Sequence, residues 1–294
     1  MQNKSIAIIG AGPAGLTTAL QLRRFGIPSM LFEAETPGGL LRNANLVENY
    51  PGFPRGIPGR NLVKLFNEQA KGAGLEIIHQ KVTGLDHRQY FELTTAQELY
   101  QAHIVVVASG TTPIRFDPGL FSEAASAYIF YEIHSLADIE DCDVVIAGAG
   151  DAAFDYALNL GRKNRIVILN RGERTRCLPL LRERAATNPD IRYQTGQTIT
   201  SIQMDDRLCI TCQSAQGQQN LRADYLIGAL GRRPRLDFIS PALEAKKADL
   251  EQKGVLYFAG DVLNGNFRQT SIAVGNGMMA AMKIHCLHYK ENHR

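Results

Sequence analysis

Two glycine runs, a group of arginines and a pair of cysteines carry the chemistry legible in these 294 residues. GAGPAG fills residues 10–15 and GAGDAA residues 148–153. In each, the first glycine (Gly10, Gly148) suits a tight turn, and the second (Gly12, Gly150) lets the backbone approach a pyrophosphate. The last position (Gly15, Ala153) lets a helix pack closely on a strand. Pro13 with Ala14, and Asp151 with Ala152, complete the two runs. Each run follows an apolar stretch (residues 5–9 and 144–147) and opens a helical pattern, so free N–H groups and the positive end of a helix dipole would face the phosphates. Two such units imply two nucleotides and electron transfer between them.

The residues that follow separate the two nucleotides. Glu33 closes a second apolar run, residues 29–32, where an acid hydrogen-bonds a ribose diol. The matching run of the second unit, residues 166–169, ends in Asn170 and is followed by Arg171, Arg174 and Arg176. An acid there would accept from a ribose hydroxyl and repel a 2′-phosphate. Its absence beside these arginines favours NADPH over NADH; each charge-assisted contact to the 2′-phosphate is worth about 1.5–3 kcal/mol.

Cys209 and Cys212 have the spacing of a redox dithiol. Their neighbours Leu208, Ile210 and Thr211 read as a strand, in which residues three apart face opposite sides with Cα atoms about 10 Å apart. A disulfide needs less than about 7 Å. Both are read as structural thiols, and Cys142, Cys177 and Cys286 are scattered without metal spacing.

These groups must be positioned by strands alternating with helices. Residues 104–108 and 225–229 are apolar strands ending in SGTTP and LGRRP, where glycine beside proline makes a short hinge of restricted geometry. Residues 191–229 alternate as short strands and turns, a meander. The expected fold is α/β: two Rossmann-like dinucleotide-binding domains, each of three layers.

The chain resembles the thioredoxin-reductase-like flavoproteins of the pyridine-nucleotide disulfide oxidoreductase superfamily. The resemblance rests on GAGPAG, on PGGLLRNANLVENYPGFP (residues 37–54), on Ile57, Pro58 and Gly59 before a helix, and on FAGDV (258–262) followed by FRQTSIAVGNGMMAA (267–281). It implies FAD at the first site, with Gly260 and Asp261 at the ribityl and pyrophosphate, Gly38, Gly39 and Asn49 along the flavin, and Gln269 and Thr270 near its ring; at the second site it implies Arg171 and Arg176 on the NADPH 2′-phosphate, with Gly172 where the family carries a further Arg. Leu40 stands where the family usually carries Gln. The resemblance also implies a split FAD domain (1–110 and 234–294) with the NAD(P)H domain (111–233) inserted. Residues 235–253 look shorter than usual, which leaves the local fold there open.

Thioredoxin reductases place a redox C-x-x-C shortly before the second glycine run. Here that window, residues 129–145, has Tyr131 and His134 where the thiols would stand, with only Cys142 nearby. The window is more similar to ferredoxin-NADP reductases of the thioredoxin-reductase type, as are Asp155, Tyr156 and Ala157. Those enzymes take a hydride from NADPH onto flavin N5 and release electrons singly to an iron-sulfur protein. The resemblance therefore implies an NADPH reductase without a disulfide, serving a ferredoxin- or flavodoxin-like acceptor, with a homodimer expected. A quinone or small-molecule diaphorase and a catalytically weak FAD/NADP-binding protein are the alternatives. No catalytic acid or base is required; Tyr131 beside the ring and His134 as a proton donor are the candidate side chains.

Composition sets the outer bounds. A net charge of +3 with pI ≈ 8.6 is too mild to imply nucleic acid. No stretch reaches the roughly 20 apolar residues that span a bilayer, and the start lacks the pattern of an export signal, so a cytoplasmic protein is expected. His285, His288 and His293 are irregularly spaced in a polar tail and are not read as a metal site.

Overall fold

A computed structural model describes residues 4–292, with side chains to residue 287. The chain divides into two units: Met1–Arg42, Val47–Thr112 and Arg233–Arg294 form one, and Asn43–Leu46 with Pro113–Arg232 the other. The helices among the described residues are α1 (Pro13–Arg24), α2 (Gly59–Gly72), α3 (Asp151–Leu160), α4 (Pro179–Ala186), α5 (Pro241–Gln252) and α6 (Thr270–Asn292). Thr111–Pro113 and Arg232–Pro234, where the chain passes from one unit to the other, pair as a two-stranded ribbon.

The first unit is built on a parallel sheet in the order Leu256–Phe258, Ile104–Val107, Ile6–Ile9, Met30–Phe32, Ile77–Ile78. Its central strands, IAII and IVVV, are buried throughout, as strands covered on both faces must be. Alternate residues sort into two cores. Ile6, Ile8, Ile104 and Val106 meet Leu16 and Leu22 of α1 and Ala281 and Ile284 of α6. Ala7, Ile9, Val105 and Val107 meet Leu243 of α5 and Phe91 and Leu93 of an antiparallel meander, Gly84–His87, Phe91–Thr94 and Leu99–Ala102. The short stretch after residue 234 is thus largely a helix that covers the sheet. Its start is capped by the Ser240 hydroxyl, which accepts from Leu243 N–H at 3.0 Å.

α1 and α6 cross at a glycine. A Cβ on Gly277 would lie 2.2 Å from the Ala14 carbonyl oxygen. The contact is sealed by the buried Thr18 hydroxyl, which lies 2.9 Å from the Ala14 carbonyl and 3.1 Å from that of Gly277.

The second unit repeats the plan. Its parallel sheet runs Ile191–Gln194, Arg165–Leu169, Asp143–Ala147, Tyr225–Gly228, Ile129–Phe130. Val144 and Ile146 pack on α3, whereas Val145 and Ala147 pack on a meander of Thr198–Met204, Leu208–Ser214 and Gly217–Ala223. Residues 191–194, expected in the meander, instead pair in parallel with 166–169 and extend the sheet. Their alternation is that of any short strand, so only the pairing decides which sheet they join.

An ion network ties this meander to its sheet. Arg207, at the tip of a hairpin, reaches Asp224 at 2.7 Å and Asp143 at 2.8 Å, and Arg165 reaches Asp143 at 2.6 Å. The hydrogen bonds from Arg165 and then Arg207 hold the Asp143 carboxyl below its ordinary range. A carboxyl lowered by folding adds stability above its unfolded pKa of about 3.9, and that stability is lost as pH falls through the folded value. Arg207→Ala is expected to cost on the order of 1 kcal/mol near neutrality, as partly exposed pairs do. In thermal melts against pH, the gap from the parent should close below about pH 4. A gap unchanged at low pH would contradict this.

Candidate dinucleotide sites

The two glycine loops are built alike. Gly10 (φ +104°) would place a Cβ 2.4 Å from the Ala108 carbonyl oxygen, and Gly148 (φ +131°) one 2.3 Å from that of Ala229. Both positions combine left-handed backbone with contact against the neighbouring strand's end, so only glycine fits. Gly15 is tighter still, its Cβ falling 1.8 Å from the Gly10 carbonyl oxygen. Ala153 stands at the corresponding place and is fully buried. The middle glycines differ in kind. A Cβ on Gly12 would find nothing nearer than Gly39 Cα at 4.0 Å, and one on Gly150 nothing within 4 Å. Packing does not require glycine at these two places. Each heads a helix, Gly12 at the N-cap of α1 with Pro13 at its first position and Gly150 at that of α3. The open space beside them is of the kind a pyrophosphate would take up.

Of the residues named from the sequence, Gly38, Gly39, Glu33 and Gly260 lie against the first loop or the start of α1. Gly38 N–H donates to the Ala11 carbonyl at 2.8 Å, and Gly39 lies against Gly12. A Cβ on Gly38 (φ +115°) would fall 2.4 Å from a Val63 methyl of α2. Glu33 accepts from Ala11 N–H (2.8 Å) and Glu35 N–H (2.9 Å), which fixes its carboxylate at the edge of the loop. Gly260 (φ +80°) would bring a Cβ 2.9 Å from that of Ala14, so the Gly260–Val262 turn holding Asp261 packs directly on the start of α1. Asn49 donates to Gln269 Oε1 at 2.8 Å across 220 residues of chain, and Thr270 begins α6. Leu40 lies in the 3-10 turn Gly39–Asn43 and is partly exposed.

Two residues here escape sequence reasoning. Asn276 Oδ1 accepts from Gly260 N–H (3.3 Å) and from Asn264 Nδ2 (2.6 Å), which also donates to the Gly260 carbonyl (2.9 Å). They hold the turn that presents Asp261. A polar residue on a helix (Asn276) or in a turn (Asn264) is too common a signal to reveal this in advance.

In the second unit the arginine loop folds onto the glycine loop. Arg176 N–H and the Thr175 hydroxyl both donate to the Ala149 carbonyl at 3.0 Å, and Leu178 N–H donates to Asp151 at 2.7 Å. Arg171, Arg174 and Arg176 are exposed, and Ala152 is exposed at the start of α3. Asn170 is 8% exposed, its side chain turned into the loop.

Tyr131 and His134 also lie in this unit. The Tyr131 hydroxyl accepts from Phe116 N–H at 3.0 Å, its ring fills the place a side chain on Gly228 would need, and Arg115 stacks on it at 4.9 Å. His134 N–H and Ile133 N–H donate to Asn43 Oδ1 at 3.0 and 3.2 Å, and His134 Nδ1 lies 3.7 Å from Glu132. Glu132 is held by Arg232 at 3.0 Å, and Asp155 accepts from Asn45 N–H at 2.9 Å. The segment Asn43–Leu46 therefore hydrogen-bonds in the second unit, a placement sequence reasoning missed.

All five cysteines are free. Along Leu208–Ser214, Cys212 is buried with Leu208 and Ile210 while Cys209 shares the partly exposed face with Thr211. Burial pushes the Cys212 thiol up to about 11. Among the described residues no cluster of His, Cys, Asp and Glu could hold a metal ion, and no helix is long and apolar enough to cross a membrane. His285 stacks on Phe25 at 3.9 Å, whereas the side chains of His288 and His293 lie outside the described residues.

Comparison with known proteins agrees with this plan. Residues 4–277 match the pyridine nucleotide-disulphide oxidoreductase family, and the chain belongs to it. The thioredoxin reductase of Streptomyces clavuligerus is 30% identical over 95% of this chain and 92% of that protein. The crystal structure of Lactococcus lactis thioredoxin reductase superposes with a TM-score of 0.83 at 25% identity, covering 96% of this chain and 98% of that one. The bacillithiol disulfide reductase of Staphylococcus aureus shares the fold, with a TM-score of 0.74 at 19% identity over 99% of both chains. The chain is an oxidoreductase of the thioredoxin-reductase type, and its cofactors are FAD and NADPH.

Proposed function

We propose that this protein is an FAD-dependent NADPH oxidoreductase that works without an active-site disulfide and passes electrons to a ferredoxin- or flavodoxin-like acceptor. The observation that carries this reading is the disposition of the thiols. The one C-x-x-C spans opposite faces of a meander strand, Cys212 is buried, and residues 131 and 134 are Tyr and His. A dithiol relay needs two sulfurs within bonding reach of each other.

The Gly10–Gly12 loop with Gly38, Gly39, Gly260 and Asp261 would seat FAD, with Glu33 at its ribose, and Asn49 and Gln269 near the ring. The Gly148–Ala153 loop would seat the NADPH pyrophosphate, with Arg171 and Arg176 on the 2′-phosphate. When bound, FAD accepts two electrons from the nicotinamide and returns them to an acceptor. The chain's own task is to orient the two cofactors, since no side chain need move a proton. Tyr131 contributes by packing, its hydroxyl already engaged within its unit. A homodimer is part of the same reading.

The acceptor is tested by anaerobic stopped flow. Enzyme reduced with NADPH should be reoxidised rapidly by an oxidised ferredoxin or flavodoxin. Slow reoxidation by every such carrier, with fast reoxidation by a quinone, would reject the proposal in favour of a diaphorase.

A further inference from the structure

Asn170 occupies the strand end where a ribose-binding acid would stand, yet its side chain does not face outward. Its amide bonds the loop that follows and the neighbouring strand Ile191–Gln194. Nδ2 donates to the Arg174 carbonyl at 3.1 Å and to the Tyr193 hydroxyl at 2.9 Å, while Oδ1 accepts from Gly172 N–H at 3.1 Å. One acceptor and two donors on a single planar group is what an amide offers. Aspartate lacks the donors and alanine lacks both. Outside the side chain, the loop is tied at further points. Gln197 N–H bonds the Asn170 carbonyl at 2.9 Å, and Arg176 N–H the Ala149 carbonyl at 3.0 Å. Tyr193 is in turn packed on Phe154 of α3, ring centroids 5.4 Å apart.

The loop therefore has a fixed backbone from Asn170 to Arg176, and the exposed arginines project from it. We propose that Asn170 is a positioning residue that sets the preference for a 2′-phosphorylated nucleotide by holding the arginine loop in register with the Gly148–Ala153 loop. The inference rests on the reading of Arg171 and Arg176 as ligands of the 2′-phosphate. Asn170 itself touches neither the phosphate nor the ribose. It fixes the backbone at Gly172 and Arg174, so its loss spreads the arginine side chains over more positions and lowers the phosphate contact without altering the adenosine and pyrophosphate contacts.

The test compares 2′,5′-ADP with 5′-ADP by isothermal titration of the FAD-loaded protein, a readout independent of turnover. The parent should bind 2′,5′-ADP at least about tenfold more tightly, the worth of one charge-assisted contact. In Asn170→Ala the ratio should fall by roughly tenfold while 5′-ADP affinity stays within about twofold. Tyr193→Phe, which removes one of the three partners and keeps the aromatic packing, should fall by about two- to threefold, and it serves if Asn170→Ala does not fold. An unchanged ratio in both variants, or a parallel loss of affinity for both ligands, would overturn the positioning role. A parent that does not distinguish the two ligands would overturn the arginine reading and the inference together, an outcome separate from the first.

Discussion

Gly15→Ala is expected to yield a protein that purifies without flavin and melts well below the parent. The added methyl would sit 1.8 Å from the Gly10 carbonyl oxygen, a contact of side chain on backbone that no rotamer relieves. Overpacking of a core typically costs about 1–3 kcal/mol, and this clash lies at or above the upper end because helix and turn must separate. A loss of that size in the loop weakens FAD by about a hundredfold or more. Gly12→Ala is the informative companion. Its methyl meets nothing nearer than 4.0 Å in the protein, so the variant should fold with an unchanged melting temperature in the flavin-free state and still fail to retain FAD. The flavin-to-protein absorbance ratio and calorimetry of both variants check the pair. Full flavin content in Gly12→Ala would show that the space beside Gly12 is not where the pyrophosphate lies.

The second large effect concerns the nicotinamide nucleotide. Arg171 and Arg176 are exposed on a loop whose backbone is tied to Ala149. Their contacts to a 2′-phosphate would be charge-assisted but solvent-accessible, so each is taken at the low end, about tenfold in affinity. The double variant Arg171→Ala, Arg176→Ala should raise KM for NADPH by about a hundredfold and leave kcat, and KM for NADH, within about threefold. Steady-state kinetics with a dye acceptor measure this. An unchanged NADPH to NADH preference would remove both arginines from the site.

How far these sites could be read in advance depends on how local their causes are. The strand, glycine turn and helix of residues 5–24 form one continuous piece whose local preferences agree with the fold, and so do residues 143–160. Glu33 is legible for the same reason, because the strand it closes must lie beside the first. Gly260, Asp261, Asn49 and Gln269 are far from Gly10 in sequence. Only a family resemblance brings them forward, and in the structure Gly260 lies against Ala14 while Asn49 bonds Gln269.

Other features stay hidden for physical reasons. Ile191–Gln194 has the composition of a meander strand, and its membership in the parallel sheet depends on a partner chosen by the whole fold. Asn43–Leu46 lies within a run that otherwise belongs to the first unit, and its contacts with Glu132, Ile133 and Asp155 are long-range. Asn170 reads from the sequence as the lack of an acid. Its three hydrogen bonds show a residue with work of its own, which no spacing rule encodes.

The central claim is that one unit holds a flavin and the other delivers electrons to it from NADPH, with no sulfur in between. The visible spectrum of the purified protein, taken anaerobically before and after one equivalent of NADPH, tests it most directly. The account predicts a yellow protein whose flavin absorbance bleaches on mixing, and bleaches equally in a variant whose five cysteines are replaced by alanine or serine. A colourless protein that takes up no FAD, or a bound flavin that NADPH leaves unchanged, would contradict it.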